Sequence, residues 1–147
     1  MVSITEGKPL EHTLEQLSTT REVTILSCNT CAHYCGTGGR LAMDHLAFHL
    51  NNNGVTVVGK ELVTKVCIQE QLRGCNHTKT IVLMACSSGL ISAKEAWPDA
   101  VIVPTNSTLG IGSYDPDTGS ATLLFPFPGH ETSRGARFPS LNTEAIR

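Results

Sequence analysis

Three thiols and three glycines stand between an apolar run and a helix-like stretch, and this juxtaposition restricts the fold more than any other part of the chain. Val23-Thr24-Ile25-Leu26 has the β-branched and aliphatic composition of a strand buried on both faces. It runs into Cys28-Asn29-Thr30-Cys31-Ala32-His33-Tyr34-Cys35-Gly36-Thr37-Gly38-Gly39. A helical pattern follows over residues 38–53, with Leu41, His45, Leu46, Phe48 and His49 including i, i+4 neighbours and Asn51-Asn52-Asn53-Gly54 as its stop. A strand, a cysteine turn and a helix in that order put the thiols at one tip of an α/β unit.

The same order repeats downstream. Val55-Thr56-Val57-Val58-Gly59 reads as a second strand, and residues 62–72 read as a helix closed by Arg73-Gly74. Thr80-Ile81-Val82-Leu83-Met84-Ala85-Cys86 reads as a third strand, and Ser87-Ser88-Gly89 turns it into a short helix, 90–97, stopped by Pro98. Residues 100–104 make a fourth strand. This alternation predicts a small three-layer α/β domain, Rossmann-like or flavodoxin-like, with about four parallel strands and an irregular C-terminal extension. The expected organisation is an N-terminal helical or flexible segment over 1–21, a cysteine-containing α/β domain over 22–128 and a flexible tail over 129–147. Within the first segment Leu10, Leu14 and Leu17 share one face of a short helix. Residues 106–113 read as a loop, and 121–127 as an edge strand or hairpin arm behind the turn Asp115-Pro116-Asp117-Thr118-Gly119.

Charge excludes some functions. The 147 residues carry 11 basic and 13 acidic side chains, a net charge of −2, with no basic patch, so neither nucleic acid nor a membrane surface is an expected partner. No apolar run is long enough to span a bilayer, and the N-terminal residues lack a basic-then-apolar leader pattern, so a cytoplasmic location is expected. In that compartment six clustered cysteines point to metal or redox chemistry rather than to disulfides.

Ligands of open parallel sheets bind beyond the carboxyl ends of the strands. Cys28, Cys31, Cys35, Cys67 and Cys86 all fall at that edge on this reading, with Cys67 on the first turns of the 62–72 helix. Cys75 falls at the opposite end and reads as structural. A C-x2-C-x3-C run with remote cysteines suits a soft metal: zinc, or an iron–sulfur cluster of the four-iron, four-sulfur type. Three ligands are local, and Cys67 and Cys86 compete for the fourth place. Gly36, Gly38 and Gly39 would let backbone amides approach such a cofactor. Two alternatives stay open: Cys28 and Cys31 as a redox-active C-x-x-C pair, or a purely structural zinc site.

Other residues carry less. His33 lies inside the cysteine turn and could support a sulfur or replace it; His45 and His49 stand i, i+4 but lack an H-E-x-x-H frame and read as helix-surface or packing residues. No phosphate-loop, dinucleotide-binding or nucleophile-elbow motif is present, and Cys35 to Arg40 is one residue short of a C-x5-R phosphatase loop. Trp97 reads as a core residue.

Cys28-x-x-Cys31-x-x-x-Cys35-x-Thr37-Gly38-Gly39, then Cys67, then Ala85-Cys86-Ser87-Ser88-Gly89, then Thr105-Asn106-Ser107-Thr108-Leu109-Gly110 resembles the C-terminal cysteine-rich domain associated with methylenetetrahydrofolate reductase. In acetogens and related anaerobes that domain is also a separate small subunit beside the catalytic barrel. The likeness runs from about Val23 to Gly112. It implies a non-catalytic iron–sulfur- or zinc-associated partner in one-carbon metabolism, relaying electrons to or supporting a flavin-dependent reductase subunit. It implies Cys28, Cys31, Cys35 and one or both of Cys67 and Cys86 as ligands, and it leaves room for association with a second copy. The family continues into a second cysteine-rich region, whereas no cysteine follows Cys86 here, so a single centre is expected.

Overall fold

The computed structural model describes residues 1–139. Two four-stranded sheets make up the fold, one parallel and one antiparallel. The parallel sheet has the order β3-β2-β4-β5, from β2 (Glu22–Cys28), β3 (Thr56–Val63), β4 (Thr80–Met84) and β5 (Val101–Pro104). Its register places Cys28 opposite Val63 and Ser27 opposite Met84, so the carboxyl ends of β3, β2 and β4 finish level with one another.

Alternation along β2 and β4 explains why both faces of this sheet are covered. Val23, Ile25, Val82 and Met84 project to one face, where they meet Leu17 after α1 (Leu10–Gln16) and Met43, Ala47 and Leu50 of α3 (Arg40–Asn52). Leu26, Cys28, Ile81, Leu83 and Ala85 project to the other. There they meet Ala93 of α4 (Ser87–Ala96), Val66, and Leu72 of a 3-10 turn at Gln69–Leu72. Period-2 strands with two buried faces are the pattern of a parallel sheet between helical layers. The helix after β2 lies on one face and the helix after β4 on the other. The crevice between β2 and β4 is therefore the point where the winding reverses, the usual ligand position in such sheets.

The antiparallel sheet has the order β1-β6-β7-β8 and was not anticipated from the sequence. It joins the two ends of the described chain. β1 (Val2–Gly7) pairs with β6 (Asn106–Asp115), β6 with β7 (Ser120–Pro126), and β7 with the two-residue β8 (Arg137–Phe138). Val2, Ile4, Leu109, Ala121, Leu123 and Phe138 form its apolar cluster.

Four expectations change accordingly. The N-terminal segment contains a strand as well as the short helix. Residues 106–113, read as a loop, are β6. The irregular C-terminal extension is three strands of a sheet, so the whole is a mixed α/β fold and not a simple doubly wound domain. The supposed helix over 62–72 is the end of β3, an irregular turn and the 3-10 turn, so Cys67 stands in a turn and not on a helix. Of the tail expected over 129–147, residues 131–133 form a 3-10 turn and 137–138 are β8; residues 140–147 lie outside the described residues. The hairpin arm expected at 121–127 is present as β7, and the turn before it closes through Asp117 N–H to Asp115 Oδ1 at 2.9 Å and Gly119 N–H to Asp115 O at 2.8 Å.

Candidate functional site

Cys28 ends β2, and the chain then enters the single-turn helix α2 (Cys31–Tyr34). Three hydrogen bonds tie this turn to the end of β3: Asn29 N–H to Val63 O at 2.8 Å, Thr30 Oγ1 to Thr64 O at 2.6 Å, and Cys28 Sγ to Thr64 O at 3.6 Å. Val66 and Cys67 follow directly, so the same contacts that hold Cys28 bring Cys67 to the edge. Cys86 comes from the other side of the crevice, at the N-cap of α4. Ser87 N–H donates to Thr108 Oγ1 at 2.9 Å and fixes that junction against β6. Gly89 allows α4 to approach closely: a Cβ there would stand 2.8 Å from Ala85 Cβ and 3.2 Å from Val66 Cβ.

The antiparallel sheet covers the cysteine turn. Ser3 N–H of β1 donates to Cys31 Sγ at 3.4 Å, and Cys35 Sγ donates to Ser3 O at 3.7 Å. Thr5 and Thr37 hydroxyls meet at 2.7 Å, and Asn106 Nδ2 donates to Thr37 O at 3.2 Å. Cys35 is fully buried within the apolar cluster of that sheet. The sequence did not point to this cover, because β1 lies in the polar segment 1–21 expected to be helical or flexible.

All six cysteines are free thiols. Burial pushes the Cys31 thiol above its ordinary range; the Ser3 amide opposes this, and negative charge at Cys86, Cys28 or Cys67 adds to it. Cys35 is raised first by burial, with Cys31 and Cys86 contributing. Cys67 is raised by partial burial and then by Cys86 and Cys28, although its residue as a whole is exposed. Cys28, Cys31, Cys67 and Cys86 are therefore close enough for charge on one to be felt by others, and Cys35 stands behind Cys31. Among the described residues no group of three or more His, Cys, Asp or Glu side chains is closed tightly enough to hold a metal ion as it stands. The four thiols come from four places, the end of β2, the start of α2, the turn after β3 and the N-cap of α4; Cys28 and Cys86 are buried, Cys31 is half-buried and Cys67 is exposed. Cys75 lies apart, bonded to Gln71 O at 3.7 Å, with its thiol raised by burial and by Glu61.

The three glycines have separate places. Gly36, at φ 74°, lies half-buried at the end of α2. Gly38 is buried against protein: a Cβ would meet Ala32 Cβ at 2.7 Å and Ser27 Oγ at 2.8 Å. Gly39, at φ 90°, is the N-cap of α3, and its N–H donates to Ser27 Oγ at 2.8 Å. His33 is exposed beside Gly39, and His45 and His49 stack on α3 with ring centres 5.7 Å apart. Trp97 borders the α4-side cluster and packs at 4.5 Å against the ring of His77, a contact for which the sequence carried no signal.

No family model, curated protein or solved structure matches this chain. No helix among the described residues is long and apolar enough to cross a membrane.

Proposed function

We propose that this protein is a thiolate-ligated metal- or iron–sulfur-binding accessory domain, with Cys28, Cys31, Cys67 and Cys86 as ligands and Cys35 as a buried neighbour. The observation that carries the proposal is the placement of Cys28 at the end of β2, Cys31 at the start of α2, Cys67 in the turn after β3 and Cys86 at the N-cap of α4, all at the carboxyl-end edge of the parallel sheet. Burial, with neighbouring thiols adding to it, disfavours ionisation of Cys31 and Cys67, and a bound cation would replace their protons. The positive end of the α4 dipole, at whose N-cap Cys86 stands, favours negative charge there. A bound cluster would supply one-electron transfer; a bound zinc would supply a structural tie between β2, β3 and α4.

The pattern of Cys28, Cys31, Cys35, Cys67 and Cys86, with Thr37-Gly38-Gly39, supports the same reading through its resemblance to the cysteine-rich partner domain of methylenetetrahydrofolate reductase. On that basis the partner is a flavin-dependent reductase subunit, and the parallel half of the fold serves as a flavodoxin-like platform for the centre. The alternative of a redox-active Cys28–Cys31 pair is less well supported, because an attacking thiol is activated by a lowered pKa and Cys31 is pushed the other way.

Anaerobic purification with metal and sulfide analysis tests the proposal. Iron with acid-labile sulfide and a visible charge-transfer band would identify a relay domain, and one zinc without iron would identify a structural site. A folded, metal-free protein that takes up neither metal on anaerobic reconstitution would refute it.

A further inference from the structure

A second site lies on the opposite side of the cysteine turn. A cleft of about 290 Å3 opens between α1 and α3, floored by Gly36, Thr37, Met84 and Thr105. Its walls are Leu10, Ala42 and Leu46, and its polar groups are Lys8, His45, His49, Thr13 and Asn106. Met84 ends β4 and Thr105 follows β5, so the floor sits at the carboxyl ends of parallel strands, where open α/β sheets take ligands. Volume and lining match the small end of organic-ligand sites: mostly apolar, with a few polar groups that converge.

Among the described residues, Lys8 is the one formally charged side chain lining the cleft. No carboxylate lines it. The ion pair found among the described residues joins Lys60 and Asp44, which leaves Lys8 without a carboxylate partner. The two stacked imidazoles stand on the wall of the same cleft. One ammonium and two imidazoles, all able to donate N–H, stand around an apolar hole lined by no carboxylate, which is complementary to an anion with an apolar body.

We propose that this cleft binds a small organic carboxylate, its apolar body between Leu10, Ala42, Leu46 and Met84 and its carboxylate against Lys8 and the His45–His49 pair. The cleft shares the carboxyl-end edge of the sheet with the thiols, but no cysteine lines it, so the proposal holds whether or not a metal binds beside it.

The test uses the full chain labelled with nitrogen-15 and two probes, indole-3-acetate and its neutral analogue indole-3-acetamide. The expected result is saturable amide shifts centred on Gly7, Thr13, Gly36, Ala42, Met84 and Asn106, with the carboxylate binding about tenfold more tightly than the amide, the size of one charge-assisted contact. Lys8→Met or the double variant His45→Gln/His49→Gln should abolish that preference. Leu46→Trp, which fills the cleft, should abolish binding of both probes in a protein that still melts cooperatively. The wild-type shift map stands on its own if that variant does not fold. Shifts that lie elsewhere, equal affinity for the two probes, a preference that survives both charge variants, or cleft shifts that depend on protein concentration without probe (a second copy as occupant) would each overturn the proposal.

Discussion

Gly38→Ala places one methyl group where the cysteine turn closes on β2. The new Cβ would stand 2.7 Å from Ala32 Cβ, 2.8 Å from Ser27 Oγ and 3.2 Å from Cys28 O. None of these neighbours can swing away freely. Ala32 is fully buried on α2, Cys28 O is backbone, and Ser27 is a fully buried hydroxyl that accepts the Gly39 N–H at 2.8 Å. Overpacking a close-packed site costs about 1–3 kcal/mol, and displacing Ser27 from its hydrogen bond adds about 1 kcal/mol. The expected loss is therefore roughly 2–4 kcal/mol, which lowers the melting temperature by about 4–16 °C for a domain of this size. Urea denaturation of metal-free, reduced protein measures it. Gly54→Ala is the control, since Gly54 has φ +83° but nothing within 4 Å of its Cβ, so it reports backbone strain alone, about 1 kcal/mol. Ala32→Gly in the Gly38→Ala background removes the nearest clashing atom and should recover part of the loss, a coupling that independent sites would not show. Equal destabilisation by Gly38→Ala and Gly54→Ala, with no recovery on adding Ala32→Gly, would refute the steric account of the turn.

Further outcomes follow from the same geometry. Serine at Cys28, Cys31, Cys67 or Cys86 should each reduce metal bound per chain on anaerobic reconstitution, whereas Cys75→Ser should leave it unchanged; equal losses at all five would contradict the assigned edge. Thr108→Val removes the acceptor of the Ser87 N–H and Oγ, at 2.9 and 3.0 Å, and should cost about 1 kcal/mol while speeding hydrogen exchange at Ser87. The Glu131 carboxylate accepts the Gly129 N–H at 3.0 Å, and backbone amides hold its pKa below the ordinary 4.5. Since the folded value is depressed, this turn's contribution is present above pH 4.5 and lost as pH falls through the lower value. The Gly129 amide shift should titrate with a midpoint under 4.5 in the wild type and lose that step in Glu131→Gln.

The parallel sheet was legible because its evidence is local. The two inner strands are short β-branched runs next to helix or turn signals, 23–26 and 80–84, and burial on both faces leaves them continuously apolar. The edge that gathers Cys28, Cys31, Cys67 and Cys86 followed from that topology, even though the segment holding Cys67 is a turn and not the helix its spacing suggested. β1 was not legible: Val2-Ser3-Ile4-Thr5-Glu6-Gly7 has only two large apolar residues, and its pairing partner lies about a hundred residues away in β6. Neither segment announces a strand alone, because each side chain set is half-buried only once the pair has formed. Likewise α3 turns Leu41 and Phe48 outward, with exposures of 71% and 61%, and buries Met43, Ala47 and Leu50 instead.

Residue identity and spacing by themselves determined where the thiols concentrate: Cys28, Cys31 and Cys35 in one glycine-rich turn after a strand, with Cys67 and Cys86 further on. Tertiary structure alone decided their surroundings. A strand from the N-terminus donates an amide to Cys31 and seals Cys35 into an apolar cluster, and β6 clamps the Cys86 junction through Thr108. The same sheet, tied to the cysteine turn by the Asn106 Nδ2 donor to Thr37 O, borders a cleft lined by Lys8, His45 and His49. Period and propensity act over a few residues, whereas burial, charge coupling and cavity shape arise only when distant segments are brought together, so no local reading of the chain could have contained them.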